Sequence, residues 1–236
     1  MSYYKSIITT LLLLTTLCTY AKKEPQIRII AKADSTGKIH LRWAATNAIA
    51  WKRCNQYGFK LERYTLIRDK KMLSQVERQV LGNGVIKAKP LNDWKEVAEK
   101  NNYAVIIAQA LYGKSFEVSH SQGANQIIAQ SQELAQRFAF SLQAADMSFE
   151  AALLAGWGLV DPDTKRNEKY LYRLITAAPA SALKPDTTSV FISPGDYEPL
   201  PIVKDVAAQF GNRTAMLSWD CAPLAKDYPD YFVENS

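Results

Sequence analysis

With 236 residues, a formal net charge of +6 and three cysteines, the chain is long enough for one or two domains with real cores. Its positive excess is scattered, with only short clusters such as Arg68 to Lys71. That argues for solubility and some attraction to anionic surfaces, and against a nucleic-acid partner. Two histidines and dispersed cysteines rule out a zinc centre, and no glycine-rich phosphate loop is present, so no cofactor is expected.

The N-terminus reads as a cleaved secretory signal peptide over residues 1–21. Lys5 supplies the basic region, Ile7 to Leu17 is apolar apart from its threonines, and Thr19-Tyr20-Ala21 places small residues at the −3 and −1 positions of a cleavage site. Lys22, Lys23 and Glu24 end the apolar run well short of the roughly 20 residues that a spanning helix needs. The mature protein is therefore expected to be secreted or at the cell surface (the periplasm also fits), with no membrane span. Loss of Lys5 leaves it at +5. Cys54 and Cys221 remain, in what read as separate domains, which argues against a disulfide between them.

Residues 26–87 alternate as strands do. Ile27-Arg28-Ile29-Ile30 and Ile39-His40-Leu41-Arg42-Trp43 flank turn residues Asp34 to Gly37, and Gly58 to Leu66 alternates for longer. Gly82-Asn83-Gly84 is a turn signal. From residue 92 to 158 the period becomes helical. Asn92 or Asp93 can cap a first helix whose face carries Val97, Ala104, Ile107 and Leu111, with Asn101-Asn102 as an interruption. A second helix, from about Ala124 to Ala145, bears Ile127, Leu134, Phe138 and Leu142; a third begins after Ser148 and spaces Phe149, Leu153 and Trp157 by turns. Strand texture returns at Lys169 to Ala177 and Ser189 to Ser193. A proline-punctuated linker follows, then short strands at Ala215 to Trp219 and Tyr231 to Glu234.

Several of these segments resemble fibronectin type III domains, such as those of exported bacterial proteins. Leu41-Arg42-Trp43 resembles the strand B tryptophan motif, Tyr57 to Arg63 the aromatic strand C, and Tyr170-Leu171-Tyr172-Arg173-Leu174 the tyrosine-corner strand F. The resemblance implies that Tyr170 sends its hydroxyl back to upstream backbone. The pattern recurs in Leu217-Ser218-Trp219-Asp220 and Tyr231-Phe232-Val233-Glu234. It implies a mainly β, immunoglobulin-like sandwich over 22–91 and 159–195, a helical insertion at 92–158 between strands C/C′ and F, a linker at 196–201, and an incomplete second sandwich at 202–236. Trp43 and Trp219 are assigned to cores, and further domains of the same polypeptide would complete the second sandwich.

Candidate chemistry is sparse. Ser119-His120-Ser121-Gln122-Gly123 has the strand–turn–helix setting of a nucleophile elbow, but Ser119 replaces its first glycine and no histidine follows His120. Glu96, Glu99, Glu133, Asp146 and Glu150 could supply an acid and a base across a cleft, and read more simply as solvated helix faces. Asp161-Pro162-Asp163 falls far short of a calcium ligand set. The aromatic residues Trp51, Trp94, Tyr103, Tyr112 and Trp157 (with Tyr57 beside them) are the candidate binding surface, since a ring offers large area at low entropic cost; the plainer reading is that such rings glue the helices to the sandwich, and it is the favoured one for Trp94 and Trp157. The expected function is a non-catalytic binding or scaffolding module engaging a protein or a surface glycan. A carbohydrate-active hydrolase and a purely structural spacer are the alternatives.

Overall fold

A computed structural model describes residues 26–114, 124–183, 186–199 and 204–220. The signal segment, the Ser119–Gly123 motif, Cys221 and the strand expected at Tyr231–Glu234 lie outside the described residues. Within them, strand outweighs helix and every sheet is antiparallel.

The first hairpin follows directly from alternation. Strands β1 (Ile27–Ala33) and β2 (Ile39–Ala45) bury Ile27, Ile29, Ala33, Ile39, Leu41 and Trp43 on one face. Their turn is closed by Asp34, whose carboxylate accepts from the backbone of Thr36 and Lys38 and from the Thr36 hydroxyl. A short strand, β5 (Gly158–Asp161), adds to β2, giving a three-stranded sheet in the order β1-β2-β5. The second sheet has the order β4-β3-β6-β7, built from β3 (Phe59–Arg68), β4 (Lys71–Ile86), β6 (Glu168–Thr176) and β7 (Thr187–Ile192). The β3–β4 hairpin turns through Asp69 and Lys70 at φ 50° and 63°, the left-handed pair that matches strand twist. Gly82-Asn83-Gly84 is not a turn between strands. Leu61 pairs with Leu81 and Lys60 with Val85, so these three positive-φ residues bulge out within β4.

The two sheets face each other across an aromatic and ionic core. Trp43 of β2 meets Phe59 of β3 edge-on at 5.9 Å. Arg63 of β3 reaches across to Asp161 of β5, whose carboxylate also takes the Tyr172 hydroxyl of β6 at 2.7 Å. The Tyr170 hydroxyl accepts from the Lys165 backbone N–H at 2.8 Å and donates to Glu168 at 2.6 Å, pinning the loop before β6 to that strand. Pro194–Asp196 form a 3-10 turn behind a Ser193 capping box, with Pro194 buried, so the start of the proline-rich stretch belongs to this folded unit.

Helices gather at one end of the sandwich. One of them, α1 (Ala48–Tyr57), joins β2 to β3, where only strand had been expected. Asn47 caps it by accepting from Ala50 N–H, and Gly58, at φ 86°, ends it. The 92–158 stretch supplies a 3-10 turn (Leu91–Trp94), α2 (Lys95–Ala98), α3 (Asn102–Tyr112), α4 (Ala124–Met147) and α5 (Phe149–Leu154). Asn101 breaks the expected first helix by capping α3, and its amide donates to Ser148 Oγ, the cap of α5, at 2.8 Å. Trp43 Nε1 donates to the Gly156 carbonyl, and Trp51, Cys54, Ala144, Ala151 and Trp157 are buried in one core cluster with the sheet residues. The helices therefore share the sandwich core rather than resting on a finished one.

Beyond these elements, β8 (Lys204–Gly211) and β9 (Thr214–Asp220) form a separate two-stranded sheet. Trp219 on β9 is 53% exposed. Its assignment to a core is corrected, because among the described residues no second layer covers this hairpin.

Candidate functional site

The β2–β3, β4–β5 and β6–β7 connections all leave the same end of the two sheets, as the pairing of Phe59 with both Ile86 and Thr176 and of Arg42 with Gly158 requires. Loops at one end of a rigid sandwich are where recognition is usually placed. Here that end is helical, and a groove of about 590 Å³ opens between α1, the C-terminal half of α3 and α4. This is within the size range of small-ligand sites.

Its walls come from three local rules. On α1, the cap at Asn47 and the stop at Gly58 fix a helix whose inner turn presents Trp51 and Asn55. On α3, Ala104, Ile107 and Ala110 are buried, which leaves Leu111 and Tyr112 at the rim. On α4, Gln130, Glu133, Leu134 and Arg137 face the groove, and Arg137 also closes the end of α3 by donating to the carbonyls of Gln109, Ala110 and Gly113. Glu133 accepts from Arg137 at 2.7 Å, so the guanidinium is neutralised where it stands.

The five candidate aromatics divide clearly. Trp51 and Tyr112 line the groove. Trp157 stands behind Trp51 at 6.4 Å and Trp94 meets Tyr112 edge-on at 6.3 Å, so both support the lining rings. As surface groups, however, Trp51, Trp94 and Trp157 are corrected: they are 7%, 1% and 4% exposed. Trp94 is drawn inward by donating to the Lys89 carbonyl, and Trp157 by donating to Asn55 Oδ1 at 2.8 Å. Tyr112 remains 40% exposed, with its hydroxyl held by the Lys89 carbonyl at 2.6 Å. Burial raises the affinity of that hydroxyl for its proton, so it stays a neutral donor. Tyr103 is exposed on α3 and takes no part in the groove; Tyr57, at the end of α1, is partly buried against the core.

Two polar atoms at this site stand out. The Trp51 Nε1–H is buried and finds no acceptor among the described residues, and neither does the Asn55 Nδ2 group. Asn55 cannot simply rotate to hide its amide, because its Oδ1 is committed to Trp157. Buried donors without partners cost folding free energy of about 1–3 kcal/mol each. Asn55 and Gln56 escaped the sequence reading because α1 itself did, and Gln130 because the glutamines of α4 read as its solvated face. Asn47 before α1 and Gly58 after it were the available signals.

The candidate carboxylates are dispersed. Glu133 and Asp146 lie on the one helix α4, thirteen residues apart, which is about 20 Å along its axis. Asp146 reaches Arg42 at 3.4 Å, while Glu96, Glu99 and Glu150 are exposed. Asp161, from the Asp-Pro-Asp turn, is spent on Arg63 and Tyr172. No group of three or more metal-ligating side chains occurs among the described residues, and none of their helices is long and apolar enough to cross a membrane.

No protein-family model matches the chain, and no curated protein or solved structure matches it. The site is therefore read from its own geometry.

Proposed function

We propose that this is an exported, non-catalytic binding module: a fibronectin type III-like sandwich whose helical end holds a ligand groove. The sheet orders β1-β2-β5 and β4-β3-β6-β7 support the sandwich assignment, since they follow the family's A-B-E and C′-C-F-G arrangement, and the Tyr170 contact to upstream backbone fits its tyrosine corner. Helices α2 to α5 occupy the chain between the C′ and E equivalents. Export rests on the leader sequence, and the partner is a protein or a surface glycan outside the cytoplasm.

The observation that carries the binding reading is the groove between α1, α3 and α4, walled by Trp51, Asn55 and Tyr112 among others; behind its wall Trp51 Nε1 and Asn55 Nδ2 are buried donors without a partner among the described residues. A hydrolase would bring two carboxylates within about 5–10 Å of each other around the bond it cleaves, and Glu133 and Asp146 are separated by twice that.

The test is an array of glycans and peptides probed with the mature protein and with Gln130→Trp, which fills the groove from an exposed helix position. The expected result is a ligand that binds the parent protein, is recovered chemically unchanged, and is lost with Gln130→Trp. A ligand that is cleaved favours the hydrolase. Binding that survives the filled groove, or no ligand at all, defeats the proposal.

A further inference from the structure

We infer that the outward face of the four-stranded sheet is a second binding surface, shaped for a linear acidic polysaccharide whose sugars lie along a lane of Tyr64, Leu171 and Phe191. Alternation fixes this face. Phe59, Leu61, Tyr170, Tyr172, Leu174 and Ile192 are buried in the core, so Lys60, Glu62, Tyr64, Leu171, Arg173 and Phe191 stand on the opposite side. The pairings then align them. Tyr64 lies opposite both Arg78 and Leu171, and Leu171 lies opposite Phe191. The result is an apolar lane running across the strands, with Phe191 48% exposed. Tyr64 and Phe191 stand two strand spacings apart, about 10 Å, comparable to the length of a disaccharide.

Positive charge borders the lane on both sides. Lys169 and Arg173 flank Leu171 along β6, about 13 Å apart, and both are exposed. Lys60 adds a further cation, and Arg78 stands at the end of the lane. Against these four, Glu62 is the sole carboxylate at the outward positions of the described strands, and it is already engaged by Arg78 and by the Tyr64 hydroxyl. Solvated faces ordinarily mix both signs, whereas a face of one sign draws in a polyanion from a distance. Shape selects among polyanions. The backbone groups of paired strands are committed to the ladder, so an acidic peptide gains no strand pairing on this face. A globular acidic partner covers a broad patch, and the continuous apolar surface here is one residue wide. A uronic acid polymer matches it, with an apolar sugar face for the rings and carboxylates at its rim for Lys169 and Arg173. The Lys169 ammonium already leans over Phe191, 5.9 Å from the ring centre, so a cation and a stacking ring are presented together.

The probe is a hexamer of galacturonic acid, titrated into the protein by calorimetry. Its comparators are its methyl ester, which keeps the rings and loses the charge, and hexaglutamate, which keeps the charge and loses the rings. The expected result is saturable binding of the acid and at least about tenfold weaker binding of both comparators, the worth of one hydrogen bond to a charged group. The double variant Lys169→Gln with Arg173→Gln should weaken the acid by a similar factor. Lys95→Gln with Lys100→Gln removes the same charge from exposed positions at the helical end and should leave binding unchanged. Phe191→Ala, which alters no charge, should cost about three- to tenfold. The three ligands compared on the unsubstituted protein decide the matter where a variant folds poorly. No binding of the acid overturns the inference, as does a comparator that binds equally well or an equal loss in the two double variants. Tighter binding of phosphatidylserine vesicles than of the acid would assign the face to a membrane and also overturn it. Binding on this face is scored apart from the ligands of the groove. Gln130→Trp should leave the acid bound, and its loss there would place the acid in the groove, overturning this inference while the groove reading stands.

Discussion

Replacing Asp161 by asparagine removes a charge from between the two sheets while keeping the shape of the side chain. Asp161 is 2% exposed and accepts from Arg63 Nη1 at 2.8 and 3.0 Å, from the Tyr172 hydroxyl at 2.7 Å and from the Asp163 N–H at 3.1 Å. The Arg63 side chain is 11% exposed, its Nε has no partner among the described residues, and its ring neighbour is Tyr170 at 5.0 Å. Two charges about 4 Å apart attract by about 4 kcal/mol at an effective dielectric near 20. Breaking a buried pair from one side costs about 3–5 kcal/mol, because the remaining charge is left uncompensated. We therefore expect Asp161→Asn to cost about 3–4 kcal/mol. In urea denaturation followed by tryptophan fluorescence, that lowers the midpoint by about 1.5–2 M for an m-value near 2 kcal/mol/M. It also lowers Tm by about 10 °C. The double variant Asp161→Leu with Arg63→Met should recover at least about 1.5 kcal/mol relative to the sum of the single changes, since no charge is then stranded. A loss below about 1 kcal/mol for Asp161→Asn would refute the reasoning, because it would place the pair in the range of solvated surface bridges.

Other consequences can be checked on the same protein. Gly156 sits at φ 69°, and a Cβ there would lie 2.5 Å from the Lys87 carbonyl carbon. Gly156→Ala should cost about 2–4 kcal/mol, seen as a lowered urea midpoint. Burial, aided by the charge of Asp186, raises the Cys54 thiol to about 12. Iodoacetamide at pH 8 should leave the Cys54 peptide unmodified in the native protein and label it in denaturant, as read by mass spectrometry. Burial pushes Glu168 upward, but Tyr170 and Arg68 more than offset it, and Tyr64 and Arg78 hold Glu62 down, so both ionise below the ordinary glutamate value of 4.5. A depressed folded value stabilises above the unfolded one. Stability should therefore be level above about pH 5 and fall as pH drops below 4.5, and Glu168→Gln should flatten that fall in a pH series of thermal melts.

The sandwich was legible where one face is dry and the other wet. Ile27 to Ala33 and Ile39 to Ala45 alternate because their outer side chains meet solvent or helix, and the Tyr170 hydroxyl meets upstream backbone at Lys165. The helix α1 was not legible. Ten residues containing Lys52, Arg53, Asn55 and Gln56 carry too weak an apolar stripe to stand out from neighbouring strands, so Trp51 read as a surface ring near a strand end. Its burial depends on Trp157, more than a hundred residues away, as the cross-sheet pair depends on Arg63 finding Asp161 across a comparable gap. Such contacts have no periodicity to reveal them. The groove was half legible: the aromatic types were identified, but which rings line it and which support it is settled by packing, and the Asn55 amide is orphaned only once its oxygen has turned toward Trp157.

The most direct test of the groove as a binding site is hydrogen exchange of the protein with and without a bound ligand from the array. We predict that protection rises in residues 48–57, 102–112 and 128–137, the three walls of the groove, and is unchanged in β1, β4 and β7. Protection confined to the flanks of the sandwich, with the helical end unaltered, would contradict it.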